Sequence, residues 1–124
     1  MPTAVKIVVR KTILRGELFD SPCAQTIVSC LPLEVRPHEW GDEFYFVIPV
    51  DLSLNESATR KVNMGDIGYW LPGKALAIFF GPTPMSTGLE PVPASEINVV
   101  GRILDDATAL RMEKGAKKIR IELI

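Results

Sequence analysis

Gly65-Asp66-Ile67-Gly68-Tyr69-Trp70-Leu71-Pro72-Gly73-Lys74-Ala75-Leu76-Ala77-Ile78-Phe79-Phe80-Gly81-Pro82-Thr83-Pro84 holds two apolar runs, Ile67 to Leu71 and Ala75 to Phe80, parted by Pro72-Gly73. Proline fixes φ at the second position of a tight turn and glycine accepts positive φ at the third, so the pair predicts a type II turn and the stretch an antiparallel hairpin. Alternation along the first run puts Trp70 on the face opposite Ile67, Tyr69 and Leu71.

On either side the same signals repeat. Ala4 to Arg10 and Thr12 to Leu18 alternate with period two across a minimal gap and predict a second hairpin. Glu34 to Trp40 and Glu43 to Pro49 predict a third pair, joined at Gly41-Asp42, and Ile97 to Ile103 and Lys117 to Ile124 read as further strands, with Gly101 suited to a bulge or a close approach. Ser21 and Pro22 mark a helix start, Cys23, Ile27 and Cys30 fall at helical spacing, and Pro32 ends that element. A second short helix is predicted over Ala107 to Lys114, capped by Asp105 or Asp106 and stopped at Gly115. Asp51 to Asn63 reads as a polar, irregular connection. Residues 81–95, with Pro82, Pro84, Pro91 and Pro93, cannot form a central strand and read as an ordered loop or a flap. The sum is a mainly β chain of about eight strands and two short helices, a number that closes into a filled β-barrel, as one domain spanning residues 1–124.

Composition narrows the class of partner. With 47% hydrophobic and 23% charged residues, the chain is that of an ordinary globular protein. A net charge of −1 argues against nucleic acid, and Lys114, Lys117, Lys118 and Arg120 read as solvated strand surface. Cys23 and Cys30, seven residues apart on a helix, are about 10 Å apart along its axis and too far for a disulfide. Without a CxxC motif, neither a zinc site nor any other cofactor is expected. No signal-like or membrane-length apolar run occurs, so a soluble cytoplasmic protein is the expectation.

The run Gly65 to Pro84, together with Ile97-Asn98-Val99-Val100-Gly101-Arg102-Ile103, resembles the signature of the small prokaryotic cyclophilin-like proteins, and the resemblance spans nearly the whole chain. It implies a closed cyclophilin-like β-barrel. True cyclophilins, the peptidyl-prolyl isomerases, are similar more faintly, through Glu17-Leu18-Phe19-Asp20, Phe44 to Pro49, Ile78-Phe79-Phe80 and Asn98-Val99-Val100. By that resemblance the isomerases' catalytic arginine falls at Phe46, their glutamine at Ile78 and their histidine at Asn98. A phenyl ring supplies neither the charge nor the hydrogen bonds that a twisted amide needs. The resemblance therefore implies a fold and a groove rather than efficient isomerase activity.

The groove so implied is aromatic. Phe46, Trp70 and Phe80 fall at its positions, Tyr69 neighbours them, and Thr83 and Asn98 supply polar anchors for a peptide or small apolar ligand. The same rings are equally suited to a barrel core. His38, Glu39, Asp42 and Glu43 form an acidic turn too weak in pattern for a metal, and Glu43 stands out because it starts the strand that carries Phe46. Arg102 is placed to meet a ligand anion or to form a surface ion pair. Three readings stay open: a ligand-binding module, a divergent prolyl isomerase, and an enzyme of other chemistry using Glu43 or Arg102.

Overall fold

Val5, Ile7 and Val9 are buried while Lys6 and Val8 between them are only half-buried, and Leu14, Gly16 and Leu18 repeat the pattern on the next strand. A strand alternating this way is stable only when its apolar face meets another such face. The computed structural model, which describes residues 1–54 and 58–124, meets that need with a single antiparallel sheet of ten strands curled round one core. The strands are β1 (Thr3–Val9), β2 (Thr12–Leu18), β3 (Leu33–Val35), β4 (His38–Glu39), β5 (Glu43–Val47), β6 (Ala58–Thr59), β7 (Asp66–Trp70), β8 (Ala75–Phe79), β9 (Ile97–Ile103) and β10 (Ile119–Leu123). Their order is β3-β10-β1-β2-β9-β7-β8-β5-β4, with β6 on β9. The first helix, α1 (Pro22–Val28), is capped by Ser21, whose Oγ accepts from the Ala24 N–H at 3.2 Å. It adds Cys23, Ala24 and Ile27 to the core.

The fold is the mainly β barrel expected from the sequence, with four local differences. The single strand predicted over Glu34 to Trp40 is two, because Pro37 has no N–H to give a ladder. The first piece pairs with β10 and the second with β5. These are also the two ends of the strand order. Among the described residues no ladder joins these two ends, and the Arg36-Pro37 link carries the chain from one to the other. The connection read as irregular over Asp51 to Asn63 contains β6, and its residues 55–57 lie outside those described. The Pro72-Gly73 turn is a single 3-10 turn over Leu71–Gly73, and the positive φ, 49°, belongs to Lys74. Gly73 is needed for a different reason: a Cβ there would lie 2.6 Å from Cζ3 of Trp70. The second helix is 3-10, over Ala107–Glu113, and Asp106 caps it through the Thr108 N–H.

Two apolar layers result. The interior takes the inward residues of β1, β2, β5, β7 and β8, among them Phe44, Phe46, Tyr69, Ile78 and Phe80. A smaller cluster, Val62, Ala77, Phe79 and Ile97, lies on the opposite face of β8 and β9. All five residues of β8 are therefore buried, although they point to two sides. Among the described residues no helix is long and apolar enough to cross a membrane.

Candidate functional site

Register assembles a pocket on the outward face. Glu43 stands opposite Phe79, Tyr45 opposite Ala77, and Trp70 opposite Ala75, so the side chains of each pair share a face. The residues between them, Phe44, Phe46, Tyr69 and Ile78, belong to the interior. Ile97 of β9 leans across β7 over Gly68, where a Cβ would sit 2.2 Å from its Cδ1. Trp40, from the turn between β4 and β5, and Pro93 and Ala94, from the loop 81–95, complete a cavity of about 220 Å³. Both tryptophans of the chain line it.

The walls are held by specific contacts. Trp70 donates its indole N–H to Ser95 Oγ at 2.8 Å, which ties the wall to the loop. Its ring meets Tyr45 edge-on, 6.4 Å between centroids at 73°, and His38 packs on the Tyr45 ring at 5.2 Å. The loop carries its own staple. Thr83 Oγ1 donates to the Val92 carbonyl at 2.5 Å, the Thr83 N–H donates to Ser86 Oγ at 2.9 Å, and Ser86 Oγ donates to the Glu90 carbonyl at 2.7 Å. Trp40 is set by Gly41, whose φ of 61° turns the chain so that the Trp40 N–H donates to the Glu43 carbonyl.

Glu43 is the polar element of this apolar cavity. It is 7% exposed, and its Oε1 is buried with no hydrogen-bond partner among the described residues. Burial away from water, with no compensating cation, pushes its carboxyl up to about 8. At neutral pH the group is therefore mostly protonated. A buried acid left without a partner costs folding stability, and such groups concentrate where proteins bind or react.

Of the residues singled out in the sequence, Trp70 and Glu43 meet in this cavity, and the others lie elsewhere. Phe46, Tyr69 and Phe80 point into the barrel, because the groove side of β5 and β7 has the opposite parity and Phe80 continues the inward row of β8. The Tyr69 hydroxyl donates to the Val50 carbonyl at 3.0 Å and accepts from the Leu52 N–H, and Phe80 packs on Phe44 at 4.8 Å. Asn98 is also interior, donating to the Ser53 carbonyl at 2.9 Å, with Cys23 Sγ 3.6 Å away. Thr83 serves the loop staple. Arg102 lies beyond a bulge in the pairing of β7 with β9, which turns its side chain outward to Glu17 at 3.4 Å. The acidic turn disperses: Asp42 is held by Arg111 and Lys114 at 2.9 and 2.6 Å, and Glu39 accepts from the Gly115 N–H. Among the described residues no group of three His, Cys, Asp or Glu side chains could hold a metal. Trp40, Tyr45, Ala77, Phe79 and Ile97 were not singled out, although the shared parity of Glu43 and Trp70 implicates Tyr45, Ala77 and Phe79.

Comparison with known proteins agrees with this architecture. The family model described as cyclophilin-like matches residues 3–122. The solution structure of a hypothetical protein from Archaeoglobus fulgidus is similar at 31% identity with a TM-score of 0.81, over 99% of this chain and 95% of that one. McbB, solved in complex with tryptophan, shares the fold at 16% identity with a TM-score of 0.72, over 96% of this chain but 44% of its own. No curated protein matches in sequence.

Proposed function

The chain belongs to the cyclophilin-like family, and we propose that it binds a small, largely apolar molecule in the outward cavity, with Glu43 as the polar anchor and proton-holding group. The observation that carries this reading is the unpartnered, buried carboxyl in a cavity lined by four aromatic side chains, Trp40, Tyr45, Trp70 and Phe79. Ligand sites are typically apolar concavities with a few convergent polar groups, and this cavity has that composition. Its volume suits a ring-sized ligand better than a length of peptide.

Glu43 also supports a second reading, an enzyme using it as general acid or base. A carboxyl that titrates at about 8 is poised to give or take a proton near neutrality. The isomerase reading has less support: the outward residues of β5 are Glu43, Tyr45 and Val47, none of them a cation that could polarise a substrate carbonyl.

The test uses the two indole N–H resonances of the isotopically labelled protein, since both tryptophans line the cavity. Indole, benzyl alcohol, cyclohexanol and tryptophan form the panel, tryptophan because McbB is described in complex with it. Saturable shifts of the Trp40 and Trp70 signals with at least one compound are expected, and an Ala77→Phe variant, which fills the cavity floor, should abolish them. Unchanged signals throughout the panel at millimolar concentration would refute the reading.

A further inference from the structure

We propose that the occupant of this cavity is a small organic ammonium ion with an apolar or aromatic body, its charged nitrogen seated on the Glu43 carboxylate beside the rings of Trp40, Tyr45 and Trp70. The inference rests on the reading of the cavity as a small-molecule site and names the class of molecule.

Charge complementarity carries the choice. The lining contains one acid and no base. Arg111 and Lys114, near Glu43 in the fold through Asp42, are committed to that carboxylate, and Arg102 to Glu17. A ligand carboxylate would therefore meet an acid and aromatic rings, with no cation among the lining residues to receive it. A neutral hydroxyl could satisfy one oxygen of Glu43 but would gain nothing from the rings. An ammonium gains from both, since carboxylate oxygens accept its N–H groups and aromatic faces attract cations most strongly when water is excluded.

Binding then displaces a proton. The ammonium arrives with its own protons, the Glu43 carboxyl releases one to solvent, and the seated pair is carboxylate and ammonium. Few other groups intervene. Tyr45 is the only other titratable side chain in the lining, β8 and β9 bring Ala77, Phe79 and Ile97, β7 brings Trp70, and the loop brings Pro93 and Ala94. Asp42, next in the chain, is neutralised by its two cations, and His38 packs on the Tyr45 ring. Affinity for the ammonium therefore follows ionisation of Glu43. With a carboxyl titrating at about 8, it rises roughly 50-fold from pH 6 to pH 8.

Benzylamine, benzyl alcohol and benzoate, titrated into the labelled protein at pH 6, 7 and 8 with the tryptophan indole signals as readout, test this. At pH 8 benzylamine should bind about tenfold or more tightly than benzyl alcohol. Its affinity should climb with pH while that of the alcohol does not, and benzoate should bind weakest. In Glu43→Gln the ratio of amine to alcohol affinity should fall severalfold and lose its dependence on pH. Should the alcohol bind as tightly as the amine at every pH, the ammonium assignment is overturned while the cavity remains a binding site. Should none of the three move the tryptophan signals, the cavity reading falls and this inference falls with it.

Discussion

Replacing Glu43 with glutamine should stabilise the protein, and by an amount that depends on pH in a defined way. A glutamate ordinarily titrates at 4.5, and in the folded chain Glu43 does so at about 8. The native state therefore holds a proton that the unfolded chain has already released, and unfolding sheds it anywhere between those values. Because the native state binds the extra proton, stability is lost as pH rises from 4.5 to 8 and is level above and below that window. At 1.36 kcal/mol for each pH unit, a difference of about 3.5 units amounts to a penalty of about 5 kcal/mol above pH 8 and about 3 kcal/mol at pH 7. Glutamine cannot ionise and carries none of it. The assay is denaturant unfolding of wild type and Glu43→Gln at pH 4.5, 7 and 9, taking the difference in unfolding free energy at each pH so that groups common to both proteins cancel. The difference should grow by about 3 kcal/mol from pH 4.5 to 7 and by about 4 by pH 9. A difference constant across the range would show that Glu43 ionises normally, and the assignment of Glu43 as the proton-holding group would go with it.

Two further predictions separate wall from core. Phe46→Ala should cost about 3–5 kcal/mol in unfolding free energy, as a large cavity in a packed interior does, whereas Trp70→Ala should cost less in stability and remove ligand-induced shifts of the remaining Trp40 signal. Comparable losses of stability in both variants would contradict the two-layer assignment. Ser95→Ala should cost about 1 kcal/mol, the worth of one hydrogen bond, and speed exchange of the Trp70 indole proton with solvent; unchanged exchange would mean the indole is held by packing alone.

Most of the barrel was legible in the sequence because hairpins announce themselves locally. Alternation in Val5 to Val9 and Thr12 to Leu18 and the break between Ile67 to Leu71 and Ala75 to Phe80 gave the ladders found in the structure. Pro37 was visible too, but whether a proline splits a strand or sits at its edge depends on which neighbour needs its N–H, and that is a tertiary matter. The site was legible in part. Alternation placed Trp70 on the face opposite Tyr69, and the position of Glu43 at a strand start made it prominent. It could not sort the aromatic residues of Glu43-Phe44-Tyr45-Phe46-Val47, because rings occupy both faces there and parity is fixed only once one residue is known to be inside. The unbroken apolar run Ala75 to Phe80 was the available clue that β8 is covered on both sides. The bulge near Gly101 was anticipated, but not that it would reverse the side on which Arg102 emerges relative to Asn98.

The internal hydrogen bonds of the loop 81–95 bear on how the proposed ligand would bind. A segment of fifteen residues that had to order itself on each binding event would surrender much of the contact energy to lost conformational freedom. Here Thr83, Ser86 and the Trp70–Ser95 bond fix the segment before anything arrives. Association at this cavity should then proceed as docking onto a preformed surface, with little change in backbone order and a rate set by diffusion and entry.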